Sequence, residues 1–165
     1  MFNKMVSLLC LAISMLGLPA MAGNVSSSAV ELGWLDLIPE NERNMPRPGL
    51  VASHDGERPE QVKIGTVRED LNGKLIKIPG FVIPLEGDDK KVTEFLLVPF
   101  LGACIHVPPP PPNQIVYVKY EGGAPVNGLW DLVSITGTLR TEGVDTDLGD
   151  TGYLLEGIGL EKYQE

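Results

Sequence analysis

Hydrophobic spacing along this chain falls into three regimes. Met5 to Leu18 is an almost unbroken apolar run. Val30 to Ile38 (VELGWLDLI) places Val30, Trp34 and Leu37 near one face at helical spacing, and Ser28 stands where a helix cap belongs. Pro39 ends that stretch. Residues 41–59 then show no periodicity and are rich in Pro, Arg, Glu and Gly, which reads as an extended arm. From Lys74 onward the period drops to two, the signature of β-strands.

Five strands are expected. Leu75 to Leu85 (LIKIPGFVIPL) is the first, with Pro79-Gly80 marking a bulge or a barrel corner. The second is Val92 to Phe100, with Phe95 and Leu97 on one face, and Ala103 to Val107 either continues it or forms a short segment of its own. Ile115 to Tyr120 and Val133 to Leu139 follow. In the last, Gly152 to Tyr163, the inward face is ambiguous: Leu155, Gly157 and Gly159 fall on one side, Leu154, Ile158 and Leu160 on the other. Short strands, interior glycines and turn-rich links predict a mainly β protein. The architecture expected is a small OB-like β-barrel with a short N-terminal helix and an extended N-terminal arm. A β-sandwich is the alternative.

The N-terminal run alters the reading of compartment. Lys4, the apolar stretch and Ala20-Met21-Ala22 form the three parts of a cleavable signal peptide. We therefore expect residues 1–22 to be a signal, 23–60 the N-terminal helix and arm, and 61–165 the barrel. Loss of Lys4 with the signal moves the formal charge of −9 one unit further negative. An acidic field argues against nucleic acid or anionic lipid as a partner. Export to a periplasm, with no membrane insertion once the signal is removed, is the expected localisation.

Removal of the signal also takes Cys10, so Cys104 alone remains and no disulfide can form within the chain. Cys104 lies in GACIHVPPPPPNQ, two residues before His106, one of the two histidines. On a strand that spacing would put thiol and imidazole on one face. Both are good ligands for soft metals, zinc above all. His54 is the candidate third ligand, if the arm folds back, and Glu94 a candidate fourth. Thiol catalysis, with His106 as base and Asn113 orienting it, is a second reading. A buried structural thiol is the third. Pro108, Pro109, Pro110, Pro111 and Pro112 should form a stiff polyproline strap. With Asn113 and Gln114 they make a candidate partner-binding surface.

The blocks LNGKLIKIPGFVIPLE (71–86), VTEFLLVPFLGACIHVPPPPPNQIVYVK (92–119) and VSITGTL (133–139) resemble the bacterial exported-protein family known as domain of unknown function 3299. The resemblance implies a periplasmic accessory role, in zinc acquisition or beside a subunit of an ABC-type transport complex. The expected function is that of a non-enzymatic binding protein. Its alternatives are a thiol-dependent enzyme using Cys104 and His106, or a purely structural, partner-binding barrel.

Overall fold

A computed structural model describes residues 28–44, 60–88, 90–105, 107–126 and 128–163. The expected signal segment, His54 and His106 lie outside these residues. The strands are β1 (Val30–Glu31), β2 (Leu75–Gly87), β3 (Val92–Val98), β4 (Val116–Ala124), β5 (Leu132–Arg140), β6 (Asp145–Thr146), β7 (Gly149–Asp150) and β8 (Tyr153–Lys162). β2, β3, β4, β8 and β5 pair in that order, and β5 returns to β2, closing a five-stranded barrel. Every barrel pairing is antiparallel except β4 with β8.

Closure depends on the long strand β2. Its first half, Leu75 to Phe81, pairs with β5, and its second half, from Phe81, pairs with β3. Pro79-Gly80 sits at the handover, so the dipeptide marks a corner inside one continuous strand. A Cβ on Gly80 would lie 2.6 Å from Leu97 Cγ and 2.9 Å from Trp34 Cζ2. The missing side chain lets Trp34 lie against the corner, where its Nε1 donates to the Pro79 carbonyl at 2.7 Å.

The N-terminal helix expected over Val30 to Ile38 does not form. Val30 and Glu31 instead pair parallel with Ile76 and Lys77 of β2, and only Trp34–Leu37 turns, as a 3₁₀ helix. Gly33 interrupts the helical spacing, and its N–H is taken by the Asp36 side chain at 2.8 Å. An edge pairing plus one capped turn replaces the longer helix.

The ambiguous last strand is explained by a bulge. Gly137 pairs with Gly157 but Thr136 pairs with Gly159, so Ile158 is an extra residue. The insertion reverses the alternation. Tyr153 and Leu155 point inward before it, and Leu160, paired with Ile135, packs against the interior after it. Ile158 itself is turned outward and is 69% exposed.

Alternation divides the buried residues into two clusters. Ile76, Ile78, Phe95, Leu97, Val118 and Ile135 belong to the barrel interior. The intervening positions Ile83, Leu96, Val98, Ile115 and Tyr117 form a second cluster on the outside of β2, β3 and β4. Ala103 and Cys104 belong to this outer cluster, and Trp130, Val144 and Leu148 pack against it.

The bulge region makes a stability prediction. A Cβ on Gly137 would sit 2.4 Å from the Glu156 carbonyl oxygen, a backbone atom that cannot yield without parting β5 from β8. Gly137→Ala should cost about 2–3 kcal/mol in urea unfolding, the range of a strained overpacking change. Gly159→Ala, whose Cβ would meet Thr136 Cβ at 3.6 Å, should cost less than about 1 kcal/mol.

Candidate functional site

Cys104 does not lie on a strand. β3 ends at Val98, and residues 99–105 turn back over the outer face. Gly102 at φ +89° and Cys104 at φ +64° make the reversal, and the Gly102 carbonyl accepts the Val107 N–H at 3.2 Å. A left-handed non-glycine residue costs roughly 1–2 kcal/mol. Here it drives the thiol down among Ile83, Leu96 and Val98, leaving Cys104 1% exposed. The expectation that Cys104 lies on a strand is thus replaced by a turn. Among the described residues no three His, Cys, Asp or Glu side chains gather as a metal would require.

The strap and its amides serve the chain itself. Pro108, Pro109 and Pro110 are buried. Gln61 Nε2 donates to the carbonyls of Pro110 and Asp150, each at 2.8 Å, and Gln61 Oε1 accepts the Asp150 N–H at 2.7 Å. Pro112–Gln114 is a 3₁₀ turn. From it, Asn113 Nδ2 reaches the Thr66 carbonyl at 3.0 Å and Gln114 Nε2 the Trp34 carbonyl at 2.9 Å. Both amides are buried, and both clamp the N-terminal segments to the barrel. Pro111 and Pro112 are half-buried.

What the Cys104 turn shows to solvent is apolar. Phe100, Leu101 and Ile105 are exposed, Leu101 by 63%. Leu129 and Leu132 are exposed on the neighbouring loop and strand end. The two stretches adjoin because Phe81 pairs with Leu132 on one side and with Val98 on the other. Trp130, at φ +69°, repeats the device of Cys104: a left-handed residue turned onto the outer cluster beside an outward leucine. Five large apolar side chains therefore rim one end of the barrel, an arrangement that marks interaction surfaces. Reading the sequence for metal chemistry did not find this rim. Its trace is the run Phe100-Leu101 directly after a complete strand.

A cleft of about 510 Å³ lies farther along the same outer face, between β2, β3 and β4 and the β6–β7 hairpin. Leu85, Val144 and Leu148 supply apolar lining, and Glu86, Glu94, Asp145 and Asp147 supply carboxylates. Glu86 and Glu94 are direct partners across β2 and β3, a placement that destabilises a sheet. The Tyr117 hydroxyl donates to Glu94 Oε2. Burial, then the bond to Glu94 and its negative charge, push the Tyr117 phenol up to about 12. In sequence Glu86, Glu94 and the Asp145–Asp147 pair fall in separate segments, and only the closed sheet brings them to one cleft. A hollow of about 580 Å³ beside β1 is lined by Lys77 and Glu161 among others, but those two charges pair with each other.

Two predictions test this geometry. The Cys104 thiol should react with Ellman's reagent only as the protein unfolds, so its labelling rate in increasing urea should follow unfolding. Rapid labelling of folded protein would refute the burial. For Tyr117, the folded phenol holds its proton above the unfolded value near 10. The associated stability is complete below pH 10 and is lost as pH rises toward 12. Tyr117→Phe should lose less stability than the unaltered chain between pH 10 and pH 12 in urea titrations.

Comparison with known proteins places this architecture. A crystal structure of a DUF3299 family protein from Pseudomonas aeruginosa PAO1, at 2.45 Å resolution, is similar to it with a TM-score of 0.72 and 37% identity. The match covers 84% of this chain and 98% of that one. No curated protein matches the chain. The family profile described as protein of unknown function (DUF3299) matches residues 34–162. That span takes in the Trp34 turn, the clamp and all five barrel strands, and the chain belongs to the DUF3299 family.

Proposed function

We propose that this protein is an exported, OB-like β-barrel that acts without catalysis as an accessory binding protein, holding a partner protein at its apolar rim. The observation that carries the reading is the rim itself. Phe100, Leu101, Ile105, Leu129 and Leu132 face solvent together while the backbone beneath them is fixed by the outer cluster. A rigid apolar surface loses little ordering entropy on binding. The strand order supports the OB-like assignment: the first, second, third, fifth and fourth barrel strands in chain order pair in sequence, with the third and fifth parallel. Export rests on Lys4, the Met5–Leu18 run and Ala20-Met21-Ala22. The partner we propose is a periplasmic or inner-membrane subunit of a transport complex, the class implied by the sequence resemblance.

Zinc binding and thiol catalysis have weaker support. Each needs the Cys104 sulfur at a surface where a metal or substrate can reach it, and that sulfur lies within the outer cluster.

Site-specific photocrosslinking in the native host tests the reading. A photoreactive residue at Leu101 should give a discrete adduct with one protein. The same residue at Ile158, equally exposed on the bulge, should give none. Leu101→Ser with Ile105→Ser should change stability by less than about 1 kcal/mol, as expected at exposed positions, while abolishing an adduct formed from Leu129. Equal labelling from Leu101 and Ile158 would overturn the proposal.

A further inference from the structure

The rim and the carboxylate cleft occupy one face, joined by β2. Phe81 stands at the rim end, and Glu86 enters the cleft five residues later. At roughly 3.4 Å per residue the two lie about 17 Å apart along the strand. They differ in chemistry. The rim is apolar, whereas the cleft sets Glu86 directly against Glu94 and adds Asp145 from the hairpin. Among the described residues no ion pair includes Glu86, Glu94 or Asp145. Lys119 shares the face of Glu94 as its cross-strand neighbour on β4 but makes no ion pair with it. Lys91 Nζ donates to the Gly122 carbonyl, and Lys63 pairs with Asp150 at 2.5 Å while also feeling the charge of Asp145.

We infer that the partner presents an extended segment with apolar side chains at one end and a lysine or arginine about five residues away, the apolar end on the rim and the cation in the cleft. The inference rests on the partner-binding reading above and names the chemistry of that partner. Three features of the cleft fit a basic side chain. Its carboxylates match the charged head. Leu85 and Leu148 match the hydrocarbon stem, which long basic side chains bury while the head stays polar. The Tyr117 phenol holds Glu94 in place, and so fixes one acceptor before the ligand arrives. A free polyamine shares the head and stem but has nothing to place on the rim, so it should bind far more weakly. The cross-strand Glu86–Glu94 repulsion gives the site a reason to exist. A buried cation would relieve a placement that the folded protein otherwise holds at a cost.

Fluorescence anisotropy with a labelled ten-residue peptide tests the inference on the folded protein. The probe carries two leucines, a Ser/Thr spacer and two lysines, with the first leucine and first lysine five residues apart. Control peptides replace the lysines by glutamates or the leucines by serines, and spermidine serves as the free polyamine. The parent peptide should bind saturably, and Glu86→Gln with Glu94→Gln should weaken it at least tenfold. High salt should weaken binding to the unaltered protein at least fivefold and leave the double carboxamide variant almost unaffected. Leu101→Ser with Ile105→Ser should weaken the same peptide at least tenfold. Binding that needs the rim leucines but ignores Glu86 and Glu94 would overturn this inference and leave the rim reading standing. Absence of saturable binding, or binding insensitive to both pairs of substitutions, would overturn both. Spermidine binding as tightly as the peptide would identify a free polyamine as the ligand and also overturn the inference.

Discussion

Burial on both faces of β2, β3 and β4 is the constraint from which the rest follows. A five-stranded barrel has room inside for only one of the two alternating sets of side chains. Much of the other set here is apolar too, with Ile83, Leu96, Val98 and Ile115 all buried. Each such side chain gains roughly 1.5–3 kcal/mol when removed from water. The chain must therefore cover the outside of its own barrel. The Cys104 turn, the β6–β7 hairpin and Trp130 do so, and their positions determine what surface is left for a partner.

The same demand accounts for the backbone strain. Cys104 and Trp130 both adopt left-handed conformations that ordinary side chains avoid. In each case the conformation turns an apolar group onto the outer cluster, and the burial offsets its cost. The Cys104 thiol is thereby buried within the outer cluster. The amides after the prolines have a comparable fate. Asn113 and Gln114 join Thr66 and Trp34 to the barrel end, while the Tyr153 hydroxyl donates to the Leu37 carbonyl and accepts the Arg68 N–H, both at 2.7 Å. Segments far apart in sequence meet there.

Much of the barrel was legible in the sequence because period-two alternation is a local property. All five barrel strands fall within a few residues of their expected bounds, and Phe95 and Leu97 share one face as read, the inner one. Pro79-Gly80, read as either a bulge or a corner, lies where β2 passes from β5 to β3. The failures came from non-local effects. Val30 was drawn from a helix into an edge pairing by the exposed side of β2. The phase of β8 could not be read because a single extra residue, Ile158, reverses it, and nothing local distinguishes a bulge from a run of glycines. The surface was the least legible part. Cys104 was read as if on an extended segment, and Gly102 sets it in a turn. The rim and the cleft each combine residues from separate loops, so neither has a contiguous motif to find.

The parallel pairing of β4 with β8 has a consequence for how the protein comes to exist. β8 lies between β4 and β5, so the cylinder stays open until the final ten-residue strand is available to fill the gap. Contacts this distant in sequence form slowly. A nascent chain lacking residues beyond 152 has two unsatisfied strand edges and no means of sealing them, whatever its hydrophobic content. Until β8 is in place, β5, β2, β3 and β4 can pair only as an open sheet, so the seal of the interior waits on that one strand.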